Sequence, residues 1–246
     1  MGRYYGVVVL SLVMLAATAL LAGACGSQGG TPKVGKLQRE SKSVDPKNAQ
    51  SVRAQLKLGA GELNLTGGAD GVMEGDFSYN VASWKPKVSY DVSGNKGELL
   101  VKQGGSRSSA LTGKARNEWD IRMNDQLPTD LVVRLGAGES DLDLDSLTLT
   151  GLDLRMGAGK TTVDLTGDYA QSFDATIQGG VGEAKVLLPS GVGVKAKAQG
   201  GLGKIDAGEG LKKVGDSYVN DAYGESDVTL NVNVQGGVGE INLEVV

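Results

Sequence analysis

The sequence lacks histidine altogether and contains a single cysteine among its 246 residues. Histidine titrates near neutral pH and is a common metal ligand, so its absence excludes Ser-His triads, histidine zinc sites and histidine acid–base chemistry. One cysteine cannot form an intramolecular disulfide, so the fold must rely on its core and its backbone hydrogen bonds. We therefore predict a non-enzymatic chain with no catalytic residues, no metal site and no cofactor.

The chain also lacks an excess of positive charge. Its 25 Lys and Arg residues against 29 Asp and Glu residues give a formal net charge of −4 at pH 7. A nucleic-acid-binding domain usually presents a basic face and a basic overall balance. We therefore expect no nucleic-acid partner, and the negative balance favours a soluble domain.

The longest uncharged run lies at the N-terminus. After Arg3, no charge occurs from Val7 to Ala24, and the run ends at Cys25. Small residues before the only cysteine resemble a bacterial lipoprotein signal, whose cysteine is acylated. We predict a signal peptide over residues 1–24, lipidation of Cys25, and export to the outer face of the cytoplasmic membrane or to the outer membrane. The alternative is ordinary secretion or an uncleaved membrane helix, because the run is marginally long enough to span a bilayer.

The segment after the cysteine is polar. Residues 26–48 are rich in Gly, Ser and Lys and show no apolar periodicity. This composition predicts a lipidated cysteine and flexible tether over residues 25–50, with a coil dimension of about 25–30 Å. Such a tether would lift a folded domain off a lipid surface.

Glycine is what the sequence has in excess: 39 residues, about twice the average share of ~7%. One unit recurs six times, namely an alternating strand, a Gly-x-Gly, a charged residue and a second alternating strand. The middle residues are Ala60, Ala137, Ala158, Val181, Leu202 and Val238. The glycines assigned to structural turns are Gly59, Gly61, Gly136, Gly138, Gly157, Gly159, Gly180, Gly182, Gly201, Gly203, Gly237 and Gly239.

The apolar positions change phase at each Gly-x-Gly. Leu154 and Met156 alternate before Ala158, which continues their phase, whereas Val163 and Leu165 lie in the opposite phase. A strand cannot change phase without exchanging its two faces. We therefore predict that the chain bends at Gly-x-Gly, where glycine supplies the backbone freedom, and that the middle residue fills the inside of the corner.

Strand, bend, strand and loop, repeated at intervals of 21, 23 and 21 residues and then 36 before the last unit, predict an all-β fold built as a parallel β-solenoid. The alternative is an antiparallel sandwich with glycine-rich hairpins. The first two units are 77 residues apart, and Val88–Val92 and Glu98–Gln103 within that interval predict a hairpin. We therefore predict an N-terminal β subdomain over residues 51–130 and a solenoid repeat domain over residues 131–246, in which successive units stack on one shared interior.

Several ordered motifs resemble those of the toast-rack family of bacterial envelope proteins. They are Asn117–Asp120, Pro128 followed by Leu131–Val133, the GAGES, GAGKT and GGVGE turns, and Asn220–Gly224 before the last turn. The resemblance covers roughly Val52 to Val246. The family includes the C-terminal domain of LiaF-type regulators of cell-envelope stress and proteins labelled adhesins. The resemblance implies a right-handed single-chain β-solenoid without enzymatic activity.

Two glycine-rich segments resemble ligand-binding loops. Met156–Thr162 is similar to a phosphate-binding loop, but Leu154 stands where that motif begins with glycine. Gly200–Asp206 is similar to a calcium-binding β-roll, but Ile205 stands where the ligating Asp belongs. We predict that both are ordinary repeat units.

Charged residues also recur on the second strand of the units. Asp141, Asp143 and Asp145 share one strand face, which predicts a solvated charged surface, with a cation site as the alternative. Lys160 and Lys204 occupy a position that is Glu in most other units. Stacked units could therefore pair these lysines with glutamates across the surface.

These features support a lipid-anchored protein that binds, adheres to or scaffolds another envelope component through a solenoid face. Its partners would be the membrane, through the lipid anchor, and an envelope protein or a cell-wall polymer. The alternative is a cell-envelope stress regulator acting on a membrane sensor protein. A carbohydrate-active enzyme is a third hypothesis, which requires a pair of carboxylates in a groove.

Overall fold

The computed structural model of the chain describes residues 33–105 and 115–246, most of which lie in β-strands. The predicted signal peptide, Cys25 and the first part of the predicted tether lie outside the described residues. Within the two described stretches, no helix is long and apolar enough to cross a bilayer.

Thirteen strands are described, and they belong to one sheet. They are β1 (Val34–Val44), β2 (Ser51–Thr66), β3 (Met73–Val81), β4 (Lys87–Ser93), β5 (Lys96–Lys102), β6 (Asn117–Met123), β7 (Thr129–Asp143), β8 (Leu149–Asp164), β9 (Phe173–Leu188), β10 (Gly193–Ala207), β11 (Lys212–Val214), β12 (Ser217–Val219) and β13 (Thr229–Val245). A 3-10 turn, Ala82–Trp84, joins β3 to the segment before β4.

Six of these strands are long, with 15 to 17 residues each, and each contains one Gly-x-Gly. They pair in parallel and in register in the order β2-β7-β8-β9-β13-β10. Ala137, for example, lies opposite Ala60 on one side and Ala158 on the other. We call this stack the parallel ladder. The prediction of a parallel solenoid stack is confirmed, and the antiparallel sandwich is wrong.

The order of the ladder departs from the order of the sequence at its C-terminal end. The last strand, β13, lies between β9 and β10 and pairs in parallel with both. β10 is therefore the last long strand, and among the described residues only Lys195 and Ala196 pair with β12 on its outer edge. The expectation that successive units stack in sequence is wrong here, because the C-terminal strand is inserted into the ladder and obtains backbone partners on both sides.

Each long strand has two arms that share one interior. In the first arm of β8, Leu154 and Met156 are buried. In the second arm Val163 is buried in the opposite phase, and so is Leu165, which directly follows the end of the strand. The predicted phase change is confirmed. Ala158, at the corner between the arms, points to solvent. The prediction that the middle residue fills the inside of the corner is wrong, because the buried side chain next to this corner is that of Met156, the residue before the Gly-x-Gly, and not that of Ala158.

The sheet divides at β2, the N-terminal end of the ladder. β5 pairs in parallel with the first arm of β2, and β4 forms the predicted hairpin with β5. β6 pairs in parallel with the second arm, and β3 and β1 continue antiparallel from β6. Trp119 of β6 is fully buried and meets Phe77 edge-to-face, with ring centroids 5.3 Å apart. The outer edge of β2 is therefore paired along both arms, with β5 on the first arm and β6 on the second.

Two predicted boundaries are wrong. Val34–Val44, placed in the flexible tether, forms β1 and pairs with β3 from Gln38 to Val44. An edge strand with mostly exposed side chains needs no apolar periodicity, which is why its composition is similar to that of a linker. The predicted division at residue 130 is also absent, because β2 is the first strand of the ladder and the described residues on both sides of position 130 belong to one compact unit.

Candidate functional site

The corners of the ladder bring neighbouring backbones unusually close together. At all six corners the second glycine has a φ between +133° and +146°. Residues other than glycine rarely adopt this backbone conformation. A Cβ built on Gly159 would lie 1.8 Å from the carbonyl oxygen of Gly138, and one on Gly157 would lie 2.3 Å from that of Gly136. In the five units other than that of β2, both glycines are therefore required by the close approach of a neighbouring corner.

Within the described residues, the corner of β2 has no neighbouring long strand on its outer side, and two side chains take the place of one. The Gln103 side-chain oxygen accepts hydrogen bonds from the Gly59 amide (2.8 Å) and the Ala60 amide (3.3 Å). The Asn117 amide group donates to the Ala60 carbonyl (2.8 Å) and to Gln103 (3.1 Å). Trp119 Nε1 donates to the Asn117 side-chain oxygen, 3.1 Å away. These bonds satisfy backbone groups that would otherwise be unpaired.

A groove of about 970 Å³ lies over the first arms and corners of β2, β7 and β8. Trp84, Gln103 and Asn117 line the end of the groove next to the β2 corner. Its charged lining consists of Lys57, Lys102, Arg134 and Arg155, and its described lining residues include no Asp, Glu, Ser, Thr, Tyr or Cys. We call this cavity the basic groove.

The cations of the groove belong to a longer row that crosses five adjacent strands. In spatial order from β4 to β8 the residues are Lys87, Lys102, Lys57, Arg134 and Arg155, each opposite the next in the strand register. Adjacent strands lie about 4.8 Å apart, so the row is continuous. We call these five residues the cation row. The same register position continues as Gln178, Gln235 and Gln199 on β9, β13 and β10.

One carboxylate, Asp153, lies directly beside the cation row. It forms ion pairs with Arg134 and Arg155, and Arg134 also donates to the Asp153 carbonyl at 2.7 Å. Burial acts to raise the pKa of Asp153, but the hydrogen bond and charge of Arg134, together with Arg155, hold that pKa below its ordinary value. Asp153 is therefore ionised at neutral pH and offsets part of the positive charge of the two arginines.

The second arm of β7 and the turn after it present the opposite charge. Asp141, Asp143 and Asp145 are all exposed, as predicted for a solvated face. Although Asp143 is exposed as a residue, partial desolvation of its carboxyl group raises its pKa, and so do the hydrogen bond with Asp145 and the negative charge of that neighbour. Among residues 33–105 and 115–246, no three acidic, histidine or cysteine side chains are grouped so as to hold a metal ion.

The predicted pairing of lysines with glutamates across the ladder holds for one lysine only. Lys160 on β8 forms an ion pair with Glu183 on β9, with a distance of 3.3 Å between Nζ and Oε2. Lys204 lies opposite Glu240 in the register, but its ion pair is with Asp206 of its own strand. That part of the prediction is wrong, because on an exposed edge strand the residue two positions along on the same face is within reach.

The corners of β9, β13 and β10 differ from the first three. Their middle residues, Val181, Val238 and Leu202, are adjacent in the register and 56%, 48% and 73% exposed. We call these three residues the apolar ridge. Since β10 is the last long strand, the ridge ends at a strand edge that is unpaired over most of its length within the described chain.

A stack of parallel two-armed strands with one glycine corner per repeat defines a β-solenoid repeat protein. The chain belongs to the toast-rack family, because the model of the N-terminal domain of toast-rack (DUF2154) matches residues 33–187. The resemblance inferred from the motifs is thereby confirmed. A crystal structure of a candidate cell adhesion protein from Clostridium sporogenes is 38% identical to the chain, covers 86% of it and 100% of its own length, and has a TM-score of 0.83.

Two further solved structures are much less similar. Candidate adhesins from Parabacteroides merdae and Bacteroides fragilis are 11% and 12% identical, with TM-scores of 0.26 and 0.27. They cover 86% and 85% of this chain and 97% of their own lengths. No curated protein is significantly similar to the chain.

The structure brings the predicted turn glycines into two columns along the ladder, but the groove beside them was not predicted. Gln103 had no signal beyond its place before a Gly-Gly pair, whereas Asn117 belongs to one of the family motifs. Lys57, Arg134 and Arg155 all stand three residues before the middle residue of their units. The repeat unit therefore carries a sequence signal for three members of the cation row, whereas Lys102 and Lys87 lie outside the six units.

Proposed function

We propose that this protein is a lipid-anchored, non-enzymatic component of the cell envelope that binds or scaffolds another envelope component through the basic groove. The observation that carries the proposal is the lining of that groove. Four cationic side chains surround a space of about 970 Å³, and the described lining residues supply no carboxylate pair and no hydroxyl or thiol nucleophile. Such a lining suits binding by charge and shape, whereas glycoside hydrolysis requires two carboxylates.

Two further observations support a place in the envelope. The chain's only cysteine follows an uncharged run with small residues before it, which is the pattern of a lipidated, exported protein. The relative from Clostridium sporogenes, whose whole length is covered, is named a candidate cell adhesion protein. An anchored adhesion or scaffolding role is consistent with both.

The groove can be blocked without changing charge. Ala137 is exposed and lines the groove, so Ala137→Trp would fill part of it. We expect the wild-type chain to bind purified cell-wall fractions and Ala137→Trp to bind them at least about tenfold more weakly, with an unchanged melting temperature. Val238→Trp, at an exposed corner outside the groove, is the matched control and should bind as wild type does. Equal binding by all three proteins, or no binding by wild type, contradicts the proposal.

The lipid anchor has its own test. Cys25→Ser should abolish incorporation of a labelled fatty acid and leave the chain unprocessed or released from the membrane fraction. Ser27→Cys combined with Cys25→Ser, which moves the thiol by two residues, should not restore labelling. Labelling that persists in Cys25→Ser would show that this cysteine is not the acylation site.

A second candidate function is a stress regulator that contacts a membrane sensor protein, and the apolar ridge favours it. Val181, Val238 and Leu202 expose large aliphatic side chains beside the outer edge of β10, which pairs with the described residues only at Lys195 and Ala196. An extended segment of another protein can add to such an edge. A photo-crosslinker at Leu202 should capture a membrane sensor in living cells, whereas one at Ala137 should not. Capture of no sensor, together with an unchanged stress response after deletion, would eliminate this candidate.

A further inference from the structure

We infer that the basic groove is a binding site for a linear polyanion of the envelope, which lies across the strands along the cation row. The inference rests on the proposed function, because it assigns a ligand class to the same groove. The class is a polymer that carries regularly spaced phosphodiester or carboxylate groups. Both groups accept charge-assisted hydrogen bonds from Arg and Lys, and Arg can bind them with two nitrogens at once.

Most of the positive charge in the row is not neutralised by the protein. Lys87, Lys102 and Lys57 form no ion pair with any residue that the structure describes, and Arg134 and Arg155 share Asp153. The other carboxylates on this face of the same strands, Asp91, Glu98 and Asp130, stand four residues along the strand from the row, roughly 13 Å away. Asp130 is itself paired with Arg53. Five cations therefore face one adjacent carboxylate.

This concentration of charge works against folding. Like charges directly opposite each other on neighbouring strands are destabilising, and here they are opposite across four consecutive strand pairs. The overall composition does not account for the row, since the chain carries a net charge of −4. An anionic ligand that binds along the row reduces this repulsion. A binding role therefore explains why the chain keeps an arrangement that destabilises the free protein.

The shape of the site favours a polymer chain over a flat surface. The row is one residue wide and about 19 Å long, from four strand spacings of about 4.8 Å. On its corner side it is bordered by Gly59, Gly136 and Gly157, which have no side chains, and four of its cations line a concave groove. A narrow polymer can enter that groove, whereas the headgroup plane of a membrane would contact its rims and leave the cations inside without partners.

The experiment uses the full chain in non-ionic detergent and measures binding to long-chain polyphosphate, to polygalacturonate and to neutral dextran. The test variant is Lys57→Gln with Lys102→Gln. The control is Lys36→Gln with Lys195→Gln, two exposed lysines outside the row with the same total change in charge. We expect wild type to bind one or both polyanions but not dextran, with affinity that falls as salt rises. We expect the test variant to bind at least about tenfold more weakly, and the control to stay within about twofold.

Two further readouts distinguish a binding site from general charge attraction. The slope of log affinity against log salt should decrease by about 0.7–0.9 per neutralised lysine in the test variant, by analogy with phosphate contacts in nucleic acids. The melting temperature of the free test variant should be higher than that of wild type, because repulsion in the row is reduced, and polyanion should raise it less.

Each outcome decides the inference. Binding of polyphosphate alone supports phosphodiester chemistry, and binding of polygalacturonate alone supports carboxylate chemistry. Equal losses in the test and control variants, or binding to phosphatidylglycerol vesicles but to neither polymer, overturn the inference. If Ala137→Trp loses binding to cell walls while the lysine variant retains it, the groove functions but its ligand is not a polyanion. If wild type binds no wall fraction at all, the proposed function itself fails.

Discussion

The two halves of the parallel ladder share a backbone and differ in surface. In β2, β7 and β8 the residue before the Gly-x-Gly is large and buried, the middle residue is alanine, and a cation stands three residues before it. In β9, β13 and β10 the residue before the Gly-x-Gly is itself glycine, the middle residue is an exposed Val or Leu, and glutamine replaces the cation. The large apolar side chain of each unit is therefore buried inside the corner in the first half and exposed on the outside of the corner in the second half.

Stacking fixes some positions of the repeat unit, whereas other positions can vary and set the chemistry of the surface. The second glycine has a similar positive φ in both halves, and in every unit except that of β2 its Cβ would lie 1.7–1.8 Å from a glycine carbonyl oxygen of the neighbouring corner, so stacking fixes it. The space left by Gly236 and Gly200 is approached by Ile241 and Ile205, which follow the corner on the same strands. The backbone therefore tolerates two solutions for the interior, and each leaves a different surface, a basic groove or an apolar ridge.

The largest expected effect tests whether the corner glycines are equivalent in the two halves. Gly159→Val and Gly182→Val should each destabilise by at least about 4 kcal/mol. Their φ values are +133° and +137°, and each Cβ would lie within 1.8 Å of a carbonyl oxygen on the neighbouring strand. Urea unfolding measures the change. The control Ala158→Val, at the exposed middle position, should stay within about 0.5 kcal/mol; a similar loss there would show that the corner is sensitive to any added bulk.

The next largest effect is expected for substitution of the buried asparagines near the two ends of the ladder. Asn117→Ala at the β2 corner removes the partner of Trp119 Nε1 and of the Ala60 carbonyl. Asn220→Ala removes the partner of the Pro189 and Val192 carbonyls and of the Val194 amide. Each should cost about 2–3 kcal/mol in urea unfolding, because buried polar groups lose their partners.

The matched control for both asparagines is Asn64→Ala, which removes an exposed hydrogen bond to Asp120. It should cost less than about 0.5 kcal/mol. If Asn64→Ala were as costly as the buried substitutions, the burial of Asn117 and Asn220 would not be the source of their effect.

A smaller effect of opposite sign is expected at the extra glycine of the second half. A Cβ on Gly179 would meet nothing within 4 Å, whereas a Cβ on Gly180 would lie 2.3 Å from the Gly157 carbonyl oxygen. Gly179→Ala should therefore stabilise by about 0.4–1 kcal/mol through the unfolded state, and Gly180→Ala should destabilise. Thermal unfolding of both variants provides the measurement, and a lower melting temperature for Gly179→Ala would refute this account of the two interiors.

The smallest effect is expected for removal of one carboxylate from each arm, Asp153 from the first arm of β8 and Asp143 from the second arm of β7. The pKa of Asp153, beside Arg134 and Arg155, is lowered, so its ionised form stabilises the fold above the ordinary carboxyl pKa, and this contribution is lost as pH falls through the lowered value. Asp153→Asn should destabilise at about pH 7 by less than about 1 kcal/mol, since the pair is partly exposed.

Asp143, among the acidic residues of the second arm, should show the opposite pH dependence. Burial and Asp145 raise its pKa, so ionisation costs stability above that raised value, and the cost disappears as pH falls below it. Asp143→Asn should stabilise slightly at about pH 7 and have no effect at about pH 3. The unfolding free energies of both Asn variants at the two pH values test the pair, and effects of the same sign would contradict it.

Much of the ladder could be predicted because its cause is local. The change of apolar phase at each Gly-x-Gly depends on residues less than ten apart, and this change alone indicates two arms with one interior. The edge strand β1 could not be predicted, since its backbone pairs with residues 29 to 47 positions away and most of its side chains stay exposed. The outward direction of the middle residues also escaped prediction, because it depends on which residue the folded corner buries, and at β8 that residue is Met156 and not Ala158.

By itself, the sequence determined the repeating unit, the positions of its corners and the class of residue allowed at each, because alternation and glycine conformation act over a few residues. Only the tertiary structure decided which units are neighbours. The insertion of β13 between β9 and β10 and the meeting of Lys87, Lys102, Lys57, Arg134 and Arg155 in one row depend on pairing between distant segments. The energy of such pairing comes from backbone hydrogen bonds and a shared core that no short segment of the chain contains.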